Sequence, residues 1–182
     1  MVKQLYIVRH CKAQGQESEA PLTAEGQAEA LALRSFFQQK RVDRIISSPF
    51  KRAIQSIEPL AAERGVAIEE DHRLKERELS DRPLSDWLEK LERTYSDKNL
   101  AYSGGESSHA ATERAKAVID ERMQQDEEAV LLVTHGNLMS LILGEYIENF
   151  GFGEWKKLSN PDVYRINIES RSAERIWKEG EW

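Results

Sequence analysis

The chain has a single cysteine, Cys11, in 182 residues. No disulfide can form within it, and that usage fits a reducing compartment. Long apolar runs are equally scarce. The opening segment MVKQLYIVRH holds only the short apolar stretch LYIV, too little for a signal-peptide core. The longest runs elsewhere, AVLLV and LIL, fall far short of the roughly 20 residues that cross a bilayer. Basic excess is missing too: 26 Lys and Arg stand against 32 Asp and Glu, a formal net charge of −6. An acidic surface disfavours nucleic acid or an anionic membrane as a partner. There is no internal repeat, no low-complexity tract and no Pro/Gly/Ser-rich linker. The expectation is one cytoplasmic domain over residues 1–182, large enough to bury roughly 70% of its unfolded surface without a structural metal.

Two short apolar runs stop at a histidine: LYIV before Arg9-His10, and VLLVT before His135-Gly136. Such runs read as buried strands of a mainly parallel sheet. Further strand patterns fall at residues 44–47, 66–69, 164–168 and 174–178, the last two joined by Ser170-Arg171-Ser172 as an antiparallel hairpin at the sheet edge. Helical spacing fills the gaps. Thr23 is placed to cap a helix whose apolar face is Ala28, Leu31, Ala32, Ser35 and Phe36. A second helix starts with Pro49 in its first turn and carries Ala53, Ile57, Leu60 and Ala61. Gly65 closes it, and Pro59 is expected to kink or split it. Leu84, Trp87, Leu88 and Leu91 form an amphipathic stripe read as core packing. A longer helix runs through Ala111, Ala115, Val118, Ile119 and Arg122, with Glu106 and Ser107 at its cap. This alternation predicts an α/β fold, a three-layer α/β/α sandwich with a mainly parallel central sheet and an antiparallel edge strand.

In open α/β sheets, ligands bind beyond the carboxyl ends of the strands. Two imidazoles leaving two such ends, with Arg9 beside one of them, point to an anion. Arg52 lies in SSPFKRAIQS at a helix start, where unpaired N–H groups also attract anions. Glu76 follows in RLKERELSD. If these groups converge, two arginines and two histidines surround a dianion with a carboxyl group at the rim. A guanidinium can hold two oxygens at once, and each charge contact at about 4 Å contributes on the order of 4 kcal/mol.

Arg9-His10, SSPFKRAIQS, Leu74-Lys75-Glu76, GGES at Gly104–Ser107 and VTHGNL around His135 together resemble the histidine phosphatase superfamily, the phosphoglycerate mutase-like fold. The resemblance implies a phosphomonoester hydrolase acting on small soluble phosphates, with no cofactor and no metal. His10 would attack phosphorus and form a phosphohistidine. Arg9, Arg52 and His135 would hold the phosphoryl oxygens. Glu76 would protonate the leaving oxygen and then activate water, while Glu78 would point elsewhere. The chain departs from the usual pattern after the histidine, where Cys11-Lys12-Ala13 replaces a glycine and a phosphate-holding hydroxyl. Gln14 and Gln16 are the substitutes available for a phosphate-contacting asparagine.

Other readings follow from the same residues. Six positions past Cys11 stands Glu17 rather than the arginine of a cysteine-dependent phosphatase, so Cys11 is expected to pack or respond to redox. A metal site from His10, Cys11 and His135 is disfavoured because neighbouring His and Cys seldom chelate one tetrahedral ion. His72, His109, Lys12 and Arg82 are expected at the surface. Trp155, Trp177 and Trp182 are candidates to cover the site or an oligomer interface. The alternatives in function are a phosphoglycerate mutase-type phosphoryl transferase, a phosphohistidine protein phosphatase and a non-catalytic phosphate-binding protein. Length favours water over a second substrate as acceptor.

Overall fold

Strands whose successive residues are all apolar must be covered on both faces, and strand runs such as LYIV and VLLV are. The computed structural model describes residues 4–179. Its strands are β1 (Gln4–Arg9), β2 (Arg44–Ser47), β3 (Ile68–Glu70), β4 (Ala129–Thr134), β5 (Asp162–Asn167) and β6 (Ser172–Arg175). They form one sheet in the order β3-β2-β4-β1-β5-β6. β1 to β4 run parallel, and the β5–β6 hairpin adds antiparallel pairing at the β1 edge. Helices are α1 (Ala24–Phe37), α2 (Lys51–Arg64), α3 (Trp87–Ser96), α4 (Ser108–Met123), α5 (Gly136–Leu143) and α6 (Phe152–Trp155).

Successive strand residues point to opposite faces. Tyr6 and Val8 of β1, with Leu131 and Val133 of β4, join a core with Leu33 and Phe37 of α1 and Ile57 and Leu60 of α2. Leu5 and Ile7, with Val130 and Leu132, face the other way onto Ala115 and Ile119 of α4 and Leu138 and Ile142 of α5. The result is the three-layer α/β/α architecture. Among the described residues no helix is long and apolar enough to cross a membrane.

Several expectations need correction. α1 buries Gly26, Glu29, Ala30, Leu33 and Phe37 together with the expected Ala32, while Ala28, Leu31 and Ser35 are exposed. The true stripe holds a glycine and a glutamate, which an apolar count passes over. Glu29 is there because its carboxylate accepts the Lys12 N–H at 2.8 Å. A Cβ on Gly26 would stand 2.1 Å from the Lys12 carbonyl oxygen. α2 starts two residues after Pro49 and continues unbroken through Pro59. Its end does match: Gly65 adopts φ +63° and returns its N–H to the last turn, a conformation glycine takes without a Cβ penalty. β3 begins two residues later than the pattern 66–69, and β6 two residues earlier than 174–178. Thr23 and Ser107 cap α1 and α4, each accepting a backbone N–H in the first turn; Glu106 caps nothing and pairs with Arg114 instead.

Candidate active site

The sheet register sets one level for the groups at its carboxyl edge. Arg9 is opposite Thr134 and Ser47 opposite Val133. The next residues outward are His10, His135 and Ser48, on adjacent strands β1, β4 and β2. Neighbouring strands lie about 4.8 Å apart, and the His10 and His135 rings follow that spacing, 5.1 Å between centroids in an edge-on contact.

His10 is 9% exposed. Its Nδ1–H donates to the Cys11 carbonyl at 2.7 Å. Nε2 is then the free base, and Arg52 Nε donates to it at 3.2 Å. Burial, against the Cys11 bond and reinforced by the charges of Arg52 and Arg9, lowers this imidazole to about 3. The ring is neutral, with its lone pair facing guanidinium groups. Arg52, 2% exposed, is held by the Gln16 and Glu17 carbonyls at 3.0 and 2.8 Å. The first α2 N–H, on Lys51, is occupied by the Ser18 carbonyl, so the anion contact expected of this segment falls to the Arg52 side chain.

His135 is fully buried, and burial followed by its cationic neighbours holds it well below the ordinary range. Its Nε2 lies 2.7 Å from Ser48 Oγ. That hydroxyl accepts the Phe50 N–H, and among the described residues Nε2 is the one acceptor within reach of its own hydrogen, so the arrangement that satisfies the hydroxyl has it donating to Nε2. The proton of the neutral ring is thereby assigned to Nδ1. His135 Nδ1 and Arg9 Nε are both buried without a hydrogen-bond partner. Two orphaned donors in one cluster are an unusual cost, and an oxyanion would relieve both. Arg9 Nη1 is anchored on the Leu158 carbonyl at 2.9 Å, and Asn160 Nδ2 donates to the His10 carbonyl. Gly136 is required next to Arg9, since a Cβ there would meet the guanidinium at 2.8 Å.

Glu76 arrives from the loop after a short 3-10 turn, His72–Leu74. Its carboxylate accepts three backbone N–H groups: Asn137 and Leu138 at 3.0 and 2.9 Å, and its own neighbour Arg77 at 2.8 Å. The acid therefore sits on the amino end of α5, where peptide dipoles favour negative charge. Of about four lone-pair positions on a carboxylate, this leaves one on Oε2. Side chains fix the loop from behind. Arg114 of α4 donates to the Arg73, Lys75 and Glu76 carbonyls and is paired with Glu106 at 2.7 Å. Glu106 also accepts the Glu78 N–H. Gly105 makes this approach possible, because a Cβ would stand 2.2 Å from the Leu79 carbonyl oxygen.

Two lobes open beside Glu76. One, of about 520 Å³, is lined by Arg9, Glu76, Arg77, Leu79, Trp87, Leu91, Gly136, Asn137 and Trp155, with Gln16 shared. The other, of about 470 Å³, adds Phe50, Arg52, Lys75, Glu78 and Ser80. Trp87 is thus a pocket wall, 49% exposed, not the core residue its spacing predicts. Trp177 is the reverse, buried against Phe36 in the α1/α2 core, whereas Trp155 does border the site. Trp182 lies outside the described residues. Cys11 is buried, its thiol pushed up to about 12 by burial, which makes it a packing group. Lys12 and Arg82 are exposed and paired to Glu25 and Asp81; His72 and His109 are exposed. Arg77, Asn137 and Asn160 join the site without being singled out by role, and Ser48, from the segment expected to contact an anion, reaches it through His135. For Asn137 a signal existed in VTHGNL, where it follows the histidine at a helix start.

The fold and this cluster define an α/β protein with two arginines, two histidines and a carboxylate gathered at its strand ends. Residues 5–177 match the histidine phosphatase superfamily (branch 1), and the chain belongs to that superfamily. It is 25% identical over 196 residues to the "Probable phosphoglycerate mutase GpmB" of Shigella dysenteriae serotype 1 (strain Sd197), covering 98% of this chain and 89% of that protein. A mycobacterial glucosyl-3-phosphoglycerate phosphatase superposes with a TM-score of 0.75 at 22% identity, covering 95% of this chain and 96% of the other. The α-ribazole phosphatase of Shigella flexneri does so with a TM-score of 0.72 at 21% identity, covering 94% of each. At such identities the two structures establish the fold alone. This chain aligns along 89% of a relative with a mutase name, so the match does not by itself separate the two activities.

Proposed function

We propose that the chain hydrolyses phosphomonoesters of small soluble compounds in the cytoplasm through a phosphohistidine on His10. The observation that supports this most is the His10 ring, held neutral with Nδ1–H on the Cys11 carbonyl and Nε2 turned to Arg52. Such a nitrogen is a nucleophile aimed at whatever the arginines hold. On binding, Arg52 Nε passes from Nε2 to a phosphoryl oxygen, and Arg9 Nε and His135 Nδ1 take others. Nε2 then bonds to phosphorus as the ester P–O bond breaks, and Glu76, which must enter this step as the carboxylic acid with its proton at the free Oε2 position, gives that proton to the departing oxygen. A water next loses its proton to Glu76 as it attacks phosphorus, the P–N bond breaks, and phosphate leaves with the enzyme restored.

The test is single-turnover labelling with a radiolabelled monoester. The expected label on the protein is acid-labile and base-stable, and His10→Ala removes both it and turnover, by about 10⁴-fold or more. Retained turnover in that variant rejects the nucleophile. Glu76→Gln should keep phosphate binding and slow alkyl esters far more than p-nitrophenyl phosphate; equal losses count against the acid. Activity in EDTA should be undiminished. The relative with a mutase name motivates the transferase reading, which would require phosphoryl transfer to a second substrate to outpace phosphate release.

A further inference from the structure

Resting on that reading, we infer that the leaving group is an apolar, aromatic alcohol carrying no second anion, and that Trp87 and Trp155 are its specificity-determining residues. The argument starts from in-line geometry. The ester carbon lies just past the oxygen that Glu76 protonates, so the rest of the substrate must fill a lobe that Glu76 borders. The larger lobe meets the phosphate end through Arg9 and Gly136 and then turns apolar at Leu79, Leu91, Trp87 and Trp155.

Three features say what fits there. Among the described residues only Leu31, Trp87 and Leu88 are large hydrophobics left exposed, and of these Trp87, the first residue of α3, lines this pocket. Exposed apolar side chains gathered at a concave site mark ligand contact. Trp155 is already set in place by stacking on Phe152, 5.4 Å between centroids, with Tyr95 edge-on behind Phe152. Its ring needs no ordering to meet a flat ligand. Finally, Arg77, the cation of this lobe beyond Arg9, has all three guanidinium nitrogens engaged, with the Glu106 carbonyl, Thr94 Oγ1 and Asn137 Oδ1. A carboxylate on the substrate would enter beside Glu76 and, with Arg9 on the phosphate, would have the one remaining Arg77 N–H, on Nη2, to meet it in this lobe, and burying it beside Glu76 is costly. The neighbouring lobe does hold Lys75, but Glu78 lines the same wall.

The experiment compares kcat/KM for 1-naphthyl phosphate, glycerol 3-phosphate and 3-phosphoglycerate, and measures binding of the non-hydrolysable 1-naphthylmethylphosphonate. We expect 1-naphthyl phosphate to lead 3-phosphoglycerate by about 100-fold or more. In Trp87→Ala and Trp155→Ala, the 1-naphthyl to glycerol 3-phosphate ratio should fall about tenfold, or 1.4 kcal/mol, with phosphonate affinity falling in step. A preference for 3-phosphoglycerate that Lys75→Met removes would place the leaving group in the other lobe and overturn the inference. So would unchanged ratios in both tryptophan variants. If no ester turns over but the phosphonate binds through Trp87, the hydrolase reading fails while the lobe assignment stands.

Discussion

At the end of the site proposed to hold phosphate, His10, His135 and Ser48 stand one residue beyond three adjacent parallel strands, and the two rings keep the spacing of the sheet. At the end proposed to receive the leaving group, Glu76, Arg77 and Trp87 hang from a segment with one short 3-10 turn and the exposed helix α3, of which only Leu91 and Thr94 are buried. The first end takes its precision from backbone ladders shared with the core. The second takes it from side chains: Arg114, Glu106 and Arg77 clamp a loop that the sheet does not reach. Two consequences follow. Groups at the phosphate end should tolerate distant substitutions, while Glu76 should respond to residues that never touch substrate. Change in specificity should also be easier at the loop-built end, where few core contacts constrain the sequence.

The largest separation of the two ends should come from Gly136→Ala. The new methyl group would lie 2.8 Å from Arg9 Cζ, Nε and Nη2. The arginine tip must move, at little cost in folding because the displaced atoms end a flexible side chain. Its orphaned Nε then leaves the oxyanion position. We expect kcat/KM to fall about 100-fold, as for loss of one preorganised donor, with a melting temperature close to wild type and an unchanged dependence on leaving group. A variant as active as wild type would mean that Arg9 does not need the place the strand gives it.

The same division explains what the amino-acid sequence discloses. LYIV-Arg9-His10 and VLLVT-His135 are legible because an uninterrupted apolar run fixes both a buried strand and its end, and the fold brings such ends to one edge. Ser48 needed only the same logic applied to RIIS. The seating of Glu76 on the α5 amino end is not legible in this way: HGNL announces a helix start, but nothing local says which carboxylate will reach it. Trp87 was misassigned because three-and-four spacing reports that a face is apolar, not whether a core or a ligand covers it. The α1 stripe fails for the opposite reason: Gly26 and Glu29 are buried by contacts with Lys12, a long-range partner that periodicity does not register.

A smaller effect should mark the loop-built end in Glu106→Gln. Burial pushes this carboxyl up, but the bonds and charge of Arg114, with the Glu78 N–H and Arg77, outweigh it and hold it below the usual range. The substitution removes the charge that fixes Arg114, and with it the grip on the Arg73, Lys75 and Glu76 carbonyls. Turnover of alkyl esters should drop about tenfold, part of the contribution of a general acid, while p-nitrophenyl phosphate, whose leaving group needs little protonation, changes least. The readout is the slope of log kcat against leaving-group pKa, which a loss of stability alone would not steepen. An unaltered slope would show that Glu76 is positioned without the clamp.

The smallest expected effect tests whether the strand-borne end is neutral by construction. Burial first, then the arginines, hold His10 near 3 in the folded chain, against about 6.5 unfolded. On acidification the unfolded chain takes up this proton and the folded chain does not. Stability therefore falls as the pH drops below about 6.5, and the loss levels off near 3, where the folded ring also protonates. Between pH 7 and pH 6 this one ring should lower stability by about 0.7 kcal/mol, and His135, displaced in the same direction, adds to it. Urea unfolding of the wild type and of His10→Gln at the two pH values measures the difference. A variant that loses as much stability as the wild type would mean that His10 protonates in place on acidification. Its Nε2 would then hold no lone pair below the ordinary histidine range, and hydrolysis would fail there for want of a nucleophile rather than for want of a folded site.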